Sequence, residues 1–236
     1  MKKYLNKIVM ITLLAAIVFS CKKDTSLPSI PDTDYTAFLK DKTWWGEFNY
    51  TGKDAEYYSV HFNSDNTFVW SQFSGDHNGK WTVEGNELTM SIEPANTEIR
   101  AEINGDDKLI NITDNTGSST INTAHLIANS NMSLDNTVWE GKPILANGIY
   151  GYLISFVPGI KVDIQETYFE PPSLYKSYLY PGNTYKRSTG GEVVRTTFSS
   201  GGAGSSSTFF GIIVSDSVMR GSSRNANNQW KVSKNK

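Results

Sequence analysis

The 236-residue sequence predicts an all-β protein of two tandem small antiparallel barrels, about eight strands each, with a two-layer β-sandwich as the alternative. Three observations carry this. From Thr43 onward apolar and polar residues alternate with period two, which gives a strand one apolar and one polar face. No long segment carries an apolar stripe at helical spacing. The chain also repeats: Asp41-Lys-Thr43-Trp44-Trp45-Gly46 aligns with Asp135-Asn-Thr137-Val-Trp139-Glu-Gly141, the Asp, Thr and Trp45/Trp139 coinciding and the glycine slipping by one.

The chain opens with Lys2, Lys3 and Lys7, then the apolar run Ile8–Ser20, then Cys21, the sole cysteine. A basic start and a short apolar core are the layout of a secretory signal. An uninterrupted core of about a dozen residues is short of the about 20 that a spanning helix needs. A short retained membrane helix is the other reading. Val18-Phe19-Ser20-Cys21 resembles the bacterial lipobox, and the Ser20-Cys21-Lys22-Lys23-Asp24 junction is similar to lipoproteins of Bacteroidetes-type bacteria. The resemblance implies that residues 1–20 are a signal peptide cleaved between Ser20 and Cys21. It implies that Cys21 is the lipid attachment site. The location implied is the cell envelope, at the outer membrane and facing the periplasm or the exterior. Acyl chains such as palmitate contribute about 0.8 kcal/mol per buried methylene, so two or more anchor durably.

Removing residues 1–20 takes three lysines and no acid, moving the formal charge from -2 to -5. Phosphate binding needs clustered Lys and Arg, so nucleic acid is not an expected partner. With Cys21 lipidated no disulfide can form, and stability must come from burial. Residues 21–38 read as a tether, because Pro28 and Pro31 disfavour helix and sheet pairing. A helical turn is expected between Asp34 and Lys40.

Two domains follow, residues 39–131 and 132–236. In the first, strands are expected near 43–50, 56–63, 67–73, 79–84, 87–93, 98–104, 108–114 and 119–127. Asn63-Ser-Asp65-Asn66, Glu84-Gly85-Asn86 and Asn104-Gly105-Asp106 separate them and suit tight hairpins. In the second, strands are expected near 137–144, 149–157, 160–167, 174–180, 184–188, 192–198, 207–214 and 217–234, the last interval holding two. The Ser199–Ser207 run reads as a flexible hairpin connection.

The first unit runs from Thr43-Trp44-Trp45-Gly46 through Phe68-Val-Trp70 and Gly79-Lys-Trp81-Thr-Val83-Glu-Gly85-Asn86-Glu-Leu88 to Lys108-Leu109. It resembles the small lipocalin-like domains of Bacteroidetes lipoproteins; the second unit does so only at its two ends. The resemblance implies short up-and-down barrels and a small apolar or amphipathic ligand.

Chemistry-bearing patterns are sparse. His61, His77 and His125 have no paired spacing and no cysteine partner, so no metal is expected. No Gly-x-Ser-x-Gly elbow or phosphate-cradling loop appears, and no catalytic residue or cofactor is assigned. Asp106-Asp107 reads as a turn, while Asp54-Ala-Glu56 and Asp32-Thr-Asp34 are too short for a calcium loop. Gly190-Gly191 and Gly201-Gly202 read as turns or bulges. The aromatics are the positive signal: 6 Trp, 12 Tyr and 11 Phe. Tyr150, Tyr152, Tyr168, Tyr175, Tyr178, Tyr180 and Tyr185 cluster in the second unit. Core packing is their first reading, a stacking platform the second. Trp45 and Trp139 read as equivalent core plugs. The expectation is a non-enzymatic, membrane-anchored binder of a small apolar or amphipathic ligand, with no ligand-binding residue singled out. A protein- or glycan-interaction module is the alternative, and a hydrolase with a dispersed site the third reading.

Overall fold

The computed structural model describes residues 34–235 apart from 53, 94, 106, 129–131, 145–148, 171–173, 189, 200–205 and 224–227. The signal peptide, the Ser20–Cys21 junction, most of the tether, Asp106 and Gly201-Gly202 lie outside the described residues. Among the described residues no helix is long and apolar enough to cross a membrane.

A single-turn helix, α1 (Tyr35–Leu39), precedes β1 (Lys42–Tyr50), β2 (Glu56–Phe62), β3 (Thr67–Gln72), β4 (Gly75–Glu84), β5 (Glu87–Ile92), β6 (Thr97–Asn104), β7 (Lys108–Asp114), β8 (Ser119–Ile121) and β9 (Ala124–Leu126). Each strand from β1 to β7 pairs antiparallel with the next, and β1 pairs on its other side with β8 and β9. Strands β8 and β9 act as one broken stave, and β7 pairs with β9. The ladder therefore closes on itself. The second barrel comprises β10 (Thr137–Pro143), β11 (Ile149–Val157), β12 (Lys161–Glu170), β13 (Leu174–Arg187), β14 (Val193–Ser199), β15 (Ser206–Ser215), β16 (Val218–Ser223) and β17 (Gln229–Lys234), closed by β10 against β17. Two closed eight-stave barrels replace the β-sandwich alternative, since a sandwich leaves edges that these ladders do not.

The hairpin turns sit where Asn and Gly can take positive φ, as at Asn66 (64°) and Gly85 (60°). The strand expected at 119–127 is split into β8 and β9, and two further expectations change. Strand β4 begins at Gly75, because Asp76, His77 and Asn78 continue the ladder with β3 despite their polarity. The expected strands 174–180 and 184–188 are one strand, β13. Pro181 and Gly182 form a bulge in it, two residues opposite the single Asp163 of β12, where the register shifts between Val162 and Ile164. There the Gly182 N–H donates to Asp163 Oδ1 at 2.6 Å.

Burial builds one core per barrel. Trp44, Phe62, Phe68, Trp81, Leu88 and Leu109 fill the lower part of the first; Trp139, Ile154, Phe156, Val162, Phe209 and Trp230 fill the second. The repeat is real in three dimensions, but in another register. The left-handed residues Asp41 (φ 57°) and Asn136 (φ 59°) correspond, as do buried Leu39 and Leu134, Trp44 and Trp139, Gly46 and Gly141. The slipped glycine thus falls into line. Trp139 is a core plug; its counterpart is Trp44, and Trp45 points outward.

Trp45 is turned toward a seam between the barrels. The outer faces of β1 and β2 pack on β14–β16, burying Tyr57, Ile127, Val193, Phe210 and Ile212 together with parts of Trp45, Phe73 and Val214. This is why β2 is buried along both faces from Tyr57 to Phe62. Arg220 lies 5.1 Å over the Trp45 ring and 3.7 Å from Glu47. At one end of the seam the Gln229 amide donates to the Ala55 carbonyl. At the other, a Cβ added to Gly190 would come within 2.4 Å of His61 Nδ1. The barrels therefore stand side by side, with corresponding ends together.

Candidate functional site: the mouth of the first barrel

The two ends of the first barrel differ. At the lower end Leu39 is fully buried and Phe38 meets Trp44 edge-on, centroids 5.9 Å apart, so α1 stoppers the core. At the upper end β1, β3, β6 and β7–β8 surround an open recess of about 240 Å³.

Its floor is aromatic and branched aliphatic: Phe48, Trp70, Ile99 and Ile121, with Ile92 on the wall. Trp70 stacks on Tyr58 at 4.1 Å, and Phe48 stands edge-on to both. Burial drives the Tyr58 hydroxyl's pKa far up, so it stays neutral. The Trp70 indole N–H donates to Gln72 Oε1 at 3.1 Å, and the Gln72 amide donates to Ser74 Oγ at 2.7 Å. Arg195 of the second barrel reaches across to the Gln72 carbonyl (2.7 Å) and Asp76 (3.0 Å). The second barrel thereby pins this wall of the mouth.

The opposite rim is built on Asp114. Its carboxylate accepts the Thr116 N–H at 2.8 Å, the Ser119 N–H at 3.2 Å and the hydroxyls of Thr116 and Ser119. Partial burial alone would raise its pKa. The hydrogen bonds from Ser119 and Thr116 outweigh burial and hold the carboxyl below its ordinary range. Asp114 is therefore an anion at neutral pH, at the edge of an apolar recess.

The residues noted from sequence are scattered. His77 lines the mouth, His125 rests against Trp45 outside the barrel, and His61 is sealed in the seam. Among the described residues no three His, Cys, Asp or Glu come together to hold a metal ion. Thr43 Oγ1 lies 2.7 Å from His61 Nδ1, a hydroxyl–imidazole pair, but both are buried between the barrels, where no substrate reaches. The tyrosines divide. Tyr152 and Tyr185 are core, Tyr168 and Tyr180 pack partly against it, and Tyr150, Tyr175 and Tyr178 are exposed. Inside the second barrel Glu166, fully buried, accepts from the Tyr168 hydroxyl (2.8 Å) and Ser223 (3.3 Å), and Ser223 bonds Tyr152 (2.7 Å). These hydroxyls satisfy a carboxylate that an apolar core would otherwise penalise.

Sequence reasoning missed the mouth itself. Gln72, Asp114, Thr116 and Ser119 read as strand ends and turns, and only barrel closure brings them around one recess. Comparison with protein-family models, with curated proteins and with solved structures returns no match.

Proposed function

We propose that this protein is a non-enzymatic binding protein that takes a small apolar or amphipathic ligand at the mouth of its first barrel. The observation that carries the reading is the aromatic-floored recess of about 240 Å³ above an otherwise filled and stoppered barrel. Ligand sites are concave, mostly apolar and fixed by a few polar groups, commonly 300–1,000 Å³. A recess of about 240 Å³, somewhat below that range, suits a fragment-sized molecule and is too small for a whole lipid. Small-molecule mass spectrometry on the purified Lys22–Lys236 chain tests this, with Ile121→Trp, which fills the recess, as comparator. A compound released by the parent and absent from the variant supports the reading. Identical extracts, or none from either, contradict it.

We also propose that the chain is held at a membrane through a lipid on Cys21. Here the support is the Lys-rich, apolar, Ser20–Cys21 start of the sequence. Cys21→Ser should move the protein from the carbonate-washed membrane fraction to the soluble one; continued membrane association would count against the anchor.

A second reading has its own observation. Tyr150, Tyr175 and Tyr178 are 54%, 57% and 42% exposed at one end of the second barrel, with Tyr150 and Tyr175 edge to face at 5.1 Å. Such a group suits a protein or glycan partner. Pull-down with Tyr150→Ser/Tyr175→Ser separates the two, because the mouth is untouched.

A further inference from the structure

The rim of the mouth also specifies the chemistry of the ligand's polar end, through a count of protons. Thr116 and Ser119 each carry one hydroxyl proton, and each donates it to Asp114. Ser118 Oγ lies 2.6 Å from Thr116 Oγ1. The Thr116 proton is already committed, so Ser118 is the donor in that contact. Three adjacent hydroxyls thus turn all their protons inward, along a chain that ends on a carboxylate. Thr116 Oγ1 also takes the Ser118 N–H, and four donors occupy the Asp114 carboxylate, so what this stretch leaves toward the recess is the lone pairs of Ser118 and Ser119 and the negative charge of Asp114. The neighbouring Thr97 hydroxyl also spends its proton locally, on the Ala95 carbonyl at 3.5 Å. Among the described residues no Lys or Arg lines the recess, and Arg195 beside it is engaged by Asp76 and the Gln72 carbonyl.

Tyr50 and His77, elsewhere around the recess, can donate, but the stretch of rim at Asp114 offers acceptors only and disfavours carboxylates and phosphates there. It welcomes a group that brings protons and positive charge. Taking the mouth as the binding site, we propose that its ligand is a small cationic amphiphile: a primary amine on a short aromatic or branched apolar body. The apolar body would rest on Trp70, Phe48 and Ile121, and the ammonium would donate to the Ser118 and Ser119 oxygens, within the field of the Asp114 carboxylate.

The test is calorimetric titration of the Lys22–Lys236 chain with three probes of like size: 2-phenylethylamine, 2-phenylethanol and 3-phenylpropionate. The amine should bind about tenfold more tightly than the alcohol, as one charge-assisted hydrogen bond provides, with the carboxylate weakest. Asp114→Asn should remove the amine's advantage and leave the alcohol's affinity alone. Because Asp114 also ties the β7–β8 turn, Ser118→Lys provides a second variant at an exposed position. It should invert the order of amine and carboxylate. If the carboxylate binds the parent chain as well as the amine does, and Ser118→Lys still changes affinities, the mouth is the site and the amine proposal falls. If no probe binds, or Ser118→Lys alters none of them, the assignment of the mouth falls with it.

Discussion

The ring of Tyr58 lies flat on that of Trp70, centroids 4.1 Å apart and planes within 2°. The pair forms the boundary between the filled lower barrel and the open mouth. Its geometry should have a measurable energy. A double-mutant cycle with Tyr58→Leu and Trp70→Leu is expected to give a coupling of about 1 kcal/mol by urea unfolding. Additive effects would mean that the stack is a contact without energetic consequence.

The glycine opposite that tyrosine and its counterpart in the second barrel should behave differently. A Cβ at Gly46 would meet the Tyr58 ring at 2.9 Å, a side chain that can swing at the expense of its stacking. A Cβ at Gly141 would meet the Lys231 carbonyl at 2.0 Å, which is ladder backbone and cannot yield. Gly46→Ala is expected to cost about 1 kcal/mol and Gly141→Ala about 3 kcal/mol or more, read from thermal or urea unfolding. The reverse order would contradict this account of both contacts.

The seam is expected to couple the unfolding of the two barrels. Phe210 is fully buried there, with the Arg195 guanidinium 5.2 Å over its ring. The parent protein should melt in a single transition. Phe210→Asp should lower stability by about 4 kcal/mol and split the calorimetric trace in two, since each barrel keeps its own core.

Burial lowers the pKa of His61, with the nearby Asp41 opposing it. The unfolded chain then takes up a proton, near the ordinary value of about 6.5, before the folded one does. Stability should therefore fall as pH drops below about 6.5. His61→Gln should flatten that fall. The Asp114 carboxyl, held low, acts in a separate window. Its contribution is present above the ordinary carboxylate value of about 3.9 and disappears as pH falls through its lower folded value. Urea midpoints measured against pH distinguish the two steps.

Much of the fold was legible because period-two alternation and Asn/Gly turns are local signals. Strand β5, Glu87–Ile92, lies where Leu88, Met90 and Ile92 alternate with Thr89 and Ser91. What was not legible depends on the second face of a strand. Trp44 and Trp45 are equally apolar, so alternation alone does not say which enters the core. Contact with the second barrel decides it and leaves Trp45 in the seam. Tyr57, Ser59 and His61 alternate with apolar Tyr58, Val60 and Phe62, so the pattern makes them the polar face of β2, yet all are buried. The mouth was hidden because the hairpin that carries Gln72 and His77 is far from Asp114 in sequence and meets it only when the ladder closes. Pro181-Gly182 looked like a break between strands, since local composition does not reveal that the pair will sit as a bulge in one continuous strand, opposite Asp163.

The central claim is that ligand binds at the mouth of the first barrel and not inside either core. The six tryptophans report on it separately: Trp44 and Trp81 in the lower core, Trp45 in the seam, Trp70 on the mouth floor, Trp139 and Trp230 in the second barrel. Indole N–H resonances, assigned by single Trp→Phe changes, would be followed by NMR during titration with the tightest of the three phenyl probes. The expected result is that Trp70, whose N–H bonds Gln72 at the recess, shifts first and farthest while Trp139 and Trp230 stay fixed. A shift of Trp139 or Trp230 with Trp70 unmoved would place the ligand in the second barrel and contradict the claim.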